Sequence, residues 1–190
     1  MKKIFTIAAT LLFLGCNNSS NNKTANAASD STSAATSKTE AATSGSAASE
    51  ISVTLTGGAN AGIYHVMSKD PTCSEGLTGD NSFGNQYSET GKGDKDLSSL
   101  QLIIDDKNAA KKGTDKFSIQ VGFGKLFQGN SYEINTRGAN SGTTQKGSGK
   151  ATLTESGSTK TVVIEGKTAD GVGISATLTC NKVVTPNGVQ

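Results

Sequence analysis

Tryptophan is absent from the 190 residues, histidine occurs once, proline twice and cysteine three times. These scarcities exclude several chemistries. One histidine (His65) permits a single Ser-His-Asp arrangement at most, and no G-x-S-x-G elbow accompanies it. Without a C-x-x-C pair or a second histidine, no zinc-type ligand set is present, and the sequence calls for neither metal nor cofactor. Charge of one sign is missing too. Removing Lys2, Lys3, Lys23 and Lys38 from the 18 bases, and Asp30 and Glu40 from the 16 acids, leaves 14 of each in residues 50–190. A neutral domain with no basic stripe lacks the electrostatic basis for nucleic-acid binding. Helix-forming windows of Leu, Ala and Glu are also lacking; glycine, serine and threonine dominate instead.

The chain opens with Lys2-Lys3 and the apolar run Ile4–Leu14. As a helix that run reaches only about 17 Å, short of a hydrocarbon core of about 30 Å, so it reads as the h-region of a signal peptide. Its end, Leu12-Phe13-Leu14-Gly15-Cys16, resembles the lipobox of bacterial lipoproteins, with Phe13 in place of the usual leucine. The resemblance implies cleavage before Cys16, diacylglycerol on its thiol and acylation of its freed amine. Two or three acyl chains anchor a protein stably, where one would be marginal. Asn17 follows the cysteine; by resemblance to proteobacterial sorting this favours the outer membrane where the host has one. The expected partner is therefore the membrane itself, through the lipid anchor.

Residues 17–49 contain no Val, Ile, Leu, Met or aromatic residue. Such a stretch has no apolar surface to bury against the loss of chain entropy and is expected to be a disordered tether, reaching about 30 Å as a coil. Within it, Asp30-Ser31-Thr32 is similar to a bacterial O-glycosylation tripeptide of the Bacteroides group, which makes Ser31 a candidate acceptor. The Asn-rich start, Cys16–Asn22, also looks like lipoproteins of that group.

From Ile51 onward, apolar residues alternate with polar ones. Ile51, Val53 and Leu55 share a face, as do Phe117, Ile119, Val121 and Phe123, then Tyr132 and Ile134. Leu100–Ile104 reads as a continuously buried strand. Ala151–Leu153 and Val162–Ile164 flank a Gly-containing turn, Glu155–Thr159, and form a hairpin. Val172, Ile174, Ala176, Leu178 and Cys180 follow strict period two. Gly/Asn/Asp/Ser clusters at 57–62, 79–85, 91–96 and 138–149 separate these runs; only Asp106–Gly113 reads as a helical turn. The organisation is thus a signal peptide (1–15), a lipidated tether (16–49) and one all-β domain (50–190). The domain is expected to be an antiparallel sandwich or barrel of seven or eight strands.

With Cys16 at the signal boundary, Cys73 and Cys180 remain as a pair in an exported domain, where a disulfide is the expected state. The segment Gly149–Cys180 faintly resembles the end of the small mycobacterial lipoprotein antigens, which share a lipobox, an Ala/Ser/Thr linker and a two-cysteine domain. The resemblance implies that family's roles, host-receptor stimulation and adhesion, which come mainly from the lipid and glycans. Asp94/Asp96 and Asp105/Asp106/Asn108 lack the twelfth-position Glu of an EF-hand and read as solvated turns. Tyr64, Phe83, Tyr87 and Tyr132 form a candidate sugar- or peptide-binding surface, or else pack over the core. The leading expectation is a non-catalytic envelope lipoprotein that presents a β-domain for interaction with a protein or glycan. The alternatives are a carrier for a small apolar ligand and, third, a small hydrolase built on His65.

Protein purified from its native membrane should begin at Cys16 and carry acyl mass in intact-mass spectrometry. An unacylated chain beginning near Ala28 would contradict the anchor.

Overall fold

Alternating side chains produce two stacked sheets. The computed structural model describes residues 47–125, 128–138 and 144–190; Cys16, Ser31, the signal segment and most of the tether lie outside them. One sheet contains β1 (Ser49–Thr56), β2 (Gly62–Ser68), β8 (Ser148–Ser156), β9 (Thr159–Lys167) and β10 (Gly173–Cys180), in the order β2-β1-β10-β9-β8. The other contains β3 (Cys73–Glu75), β4 (Phe83–Ser88), β5 (Leu97–Ile104), β6 (Phe117–Phe123), β7 (Ser131–Asn135), β11 (Val183–Thr185) and β12 (Gly188–Val189), in the order β12-β11-β3-β4-β5-β6-β7. Every pairing is antiparallel except β3 with β11. The sheets are separate, so the architecture is an open β-sandwich, and the barrel alternative does not apply.

Three expectations from sequence change. The strands number twelve among the described residues, because β3, β11 and β12 are only two or three residues long and β4 has no β-branched residue to announce it. In β5 the burial alternates: Leu100, Leu102 and Ile104 are inside while Gln101 is exposed, because β5 is covered on one face only. The folded region also begins earlier than residue 50. Ala48 is buried and donates its N–H to Ser68 O, while its carbonyl accepts from Asn181 and Lys182, so Ala47–Ser49 belong to the domain and not the tether. The helical turn forms as expected, α1 at Lys107–Ala110, with the Asp106 carboxylate accepting from the N–H groups of Asn108 and Ala109.

The chain passes from the first sheet to the second after β2, returns after β7, and crosses again after β10. Cys73 opens the strand after the first crossing, and Cys180 closes the strand before the last. Their disulfide, with Cα atoms 6.0 Å apart and a sequence separation of 107, joins the two crossings side by side. On the chain-entropy model such a loop stabilises by about 4–5 kcal/mol. Ser49 Oγ accepts from Thr72 N–H beside it, and Asn85 Nδ2 donates to Thr72 Oγ1 and to Cys73 Sγ.

Between the sheets, Phe83, Phe117, Phe123, Ile51, Leu100, Ile119, Leu153 and Ile164 are almost wholly buried in one continuous core. The strands of the two sheets cross steeply. Tyr64 on β2 stacks edge-on against Phe123 at one end of β6, with ring centroids 4.8 Å apart. At the other end of β6, Phe117 lies against Gly149 of β8. Six residue steps along β6 cover about 20 Å, which matches the roughly 19 Å across the four strand intervals from β2 to β8. Close approach is possible because Gly149 and Gly166 are cross-strand partners without side chains.

Charges close the turn end of β8 and β9. Lys160 Nζ sits 3.0 Å from both Glu75 and Glu155, Lys111 lies 2.7 Å from Glu155, and Lys107 3.2 Å from Glu75. Hydrogen bonds from Lys111 and then Lys160 hold the Glu155 carboxyl down at about 2. Burial opposes the charge on Lys160, but its bonds to Glu155 and Glu75 outweigh that and raise it.

Two outcomes follow. A Cβ on Gly166 would lie 2.5 Å from Ser148 O and 2.7 Å from Ile134 Cδ1, so Gly166→Val should cost about 1–3 kcal/mol by overpacking, read as a melting temperature lowered by several degrees. An unchanged melting temperature would refute the close approach. Because the folded Glu155 carboxyl sits below its ordinary 4.5, its contribution is present above that pH and is lost as pH falls toward about 2. Glu155→Gln should therefore flatten acid destabilisation over that window in thermal melts at stepped pH; an unaltered slope would count against the network.

Candidate functional site

Of the two readings of the aromatics, a binding surface or packing over the core, the structure has the second. Phe83, Tyr87 and Tyr132 are 1%, 6% and 7% exposed and belong to the core, and Tyr64 is half-buried against it. Each sits on the inward phase of its strand, so burial of the ring decides its place. Their polar ends are used internally. Tyr132 donates its hydroxyl hydrogen to Asn60 Oδ1 and accepts from Asn60 N–H, Asn130 donates to the same Asn60 oxygen, and Tyr64 OH donates to Asn60 O. This clasp fastens the β1–β2 turn to β7. Gly58, at φ +76°, lies close enough to the Tyr132 ring that a Cβ there would come within 2.9 Å of it.

His65 stands on the outer face of β2, half-exposed, with Nε2 2.7 Å from Glu50 Oε1 and Ser52 directly across the strand pair. The three share an open sheet face. The acidic turns are internally engaged. Asp96 accepts from Gly93 N–H, Asp105 pairs in two contacts with Arg137, and Asp106 caps α1. Among the described residues no group of three His, Cys, Asp or Glu side chains converges as a metal site. Nor is any described helix long and apolar enough to cross a membrane.

The sequence reading missed the outer face of the seven-stranded sheet. Register places Gln86 opposite Gln101, Gln101 opposite Gln120, and Gln120 opposite Glu133, a single rung across β4, β5, β6 and β7. The three glutamines are exposed, and no side chain among them is hydrogen-bonded to another described residue. Glu133, at the rung's end, pairs with Lys146 at 2.9 Å.

The next rung on the same face is Ser88, Ser99, Gly122 and Ser131, all short. The height difference makes a trough of about 340 Å³, lined by Gln86, Gln101, Gln120, Ser99, Gly122 and Ser131 and closed at one side by Lys125 and Asn130. A β-bulge shapes its floor: register shifts between Leu97 and Ser99, leaving Ser98 as the additional residue, with its Oγ donating to Gly122 O. A Cβ on Gly122 would lie 2.3 Å from Ser99 Oγ, so that hydroxyl would have to turn aside to admit one. Beside the trough, Tyr87 donates to Glu89 at 2.6 Å and Lys92 lies 2.9 Å from Glu89. Burial, then that carboxylate, pushes the Tyr87 phenol up; the hydrogen bonds from Tyr87 and Lys92 hold Glu89 down.

No protein-family profile, curated protein or solved structure matches the chain. What fold and site define is a disulfide-linked β-sandwich with an amide- and hydroxyl-lined trough on one outer face, carrying a single lysine, Lys125.

Proposed function

We propose that the protein is a membrane-anchored envelope lipoprotein whose β-sandwich is a non-catalytic binding module, with the glutamine trough as its binding surface. The observation that carries this reading is the rung Gln86-Gln101-Gln120. Three exposed amides stand in register beside a bared floor, each with a donor and an acceptor unused by the described residues. The sheet scaffold holds them in fixed order, so a ligand meets a pre-arranged row and does not have to organise it.

The lipobox-like Leu12–Cys16 and the apolar-free stretch behind it support the envelope setting, as does a disulfide of the kind that persists outside the reducing cytosol. An apolar carrier would need space between the sheets. That space holds Phe83, Phe117, Phe123 and their neighbours, all nearly inaccessible. A hydrolase on His65 and Glu50 would have to work on an open sheet face, away from the trough.

In detergent micelles, the full chain should co-sediment with delipidated envelope of the cell that makes it. The double variant Gln101→Ala/Gln120→Ala should be retained about tenfold less, since two exposed hydrogen-bonding groups are lost. Equal retention of both proteins would remove the trough from the reading, and no retention of the wild type would remove the binding role.

A further inference from the structure

We infer that the trough binds a neutral saccharide chain, laid across β4, β5 and β6 with its hydroxyl groups on Gln86, Gln101 and Gln120. This rests on the trough being the binding surface, and names the chemistry of what it takes. A side-chain amide presents an acceptor oxygen and a two-hydrogen donor side by side. That pair complements the vicinal hydroxyls of a sugar, each of which both donates and accepts. Three such amides recur at the strand spacing of about 4.8 Å, close to the repeat of a pyranose along its chain. The adjoining serines, Ser88, Ser99 and Ser131, offer further hydroxyls of the same dual character.

Other chemistries fit less well. Lys125 is the single cation among the residues lining the trough, too little for a phosphate or a nucleotide. The glutamine row lies on the face of the sheet and not along an edge, so a peptide backbone finds no unpaired strand to join there. The rung's exposed side chains are amides, so an apolar tail gains nothing from them. The described aromatic rings of this domain pack against or within the core, so among the described residues a sugar meets hydrogen-bonding groups and no stacking platform. Affinity should accordingly be weak for one chain and depend on several copies held on one membrane.

The test uses the isotope-labelled full chain in detergent micelles, titrated to millimolar concentration with neutral hexasaccharides (cello-, xylo-, manno- and chito-series) and, separately, with a neutral Gln/Asn-rich peptide. At least one hexasaccharide should shift the side-chain NH₂ resonances of Gln86, Gln101 and Gln120, and Gln101→Ala/Gln120→Ala should weaken that binding about tenfold with the melting temperature retained. Binding of the peptide alone would overturn the saccharide assignment and leave the trough as a site. Saccharide binding unaffected by the double variant would overturn both. The absence of any shift with all four hexasaccharides would overturn the saccharide inference.

Discussion

The bond between Cys73 and Cys180 is the constraint on which the rest of the domain depends. A chain that changes sheets three times leaves its crossings as the natural places to part. The disulfide fixes two of them together, and the hydrogen bonds of Ala48, Ser49, Asn85 and Asn181 gather the first strand to the same corner. Glu75 and Lys160 continue that connection as an ion pair. The far side of the sandwich is fastened differently, by Asn60, Asn130, Tyr64 and Tyr132. With both ends fixed, the sheets keep the close contact that Gly149 and Gly166 allow, and the outer faces inherit a set geometry.

The inward faces are fully committed to packing, which assigns recognition to the outward ones. Every tyrosine of this domain hydrogen-bonds within the protein. The glutamines of β4, β5 and β6 do not. They contribute nothing to the core, and their exposed placement beside a row of serines and Gly122 is the arrangement that a polar ligand uses. Export, anchoring and the trough then form one proposal: a tether sets the domain off a membrane, and the amide-lined face meets polymers of the surrounding envelope.

Much of the fold was legible because burial follows local period. Ile51, Val53 and Leu55, the run Phe117–Phe123, and Val172 through Cys180 announce their inward faces by alternation alone. The disulfide was legible from cysteine arithmetic and compartment. Strand β4 was hidden because GDNSFGNQYS presents turn residues, and only pairing with β3 and β5 makes it a strand. The aromatics admit both a surface and a core reading from sequence, because composition alone does not reveal a strand's inward phase. The trough was not legible for a deeper reason. Gln86, Gln101 and Gln120 become neighbours through registers set by hairpins of quite different length, including a bulge at Ser98. No local pattern encodes that juxtaposition.

The measurement that bears most directly on this account is amide hydrogen exchange of the full chain, disulfide intact against disulfide reduced. If the bond holds the two crossings, reduction should expose the amides of β3, β11 and the start of β4, while β5 and β6 beneath the glutamines keep their protection. Identical exchange in the two states would contradict the central role given to Cys73 and Cys180.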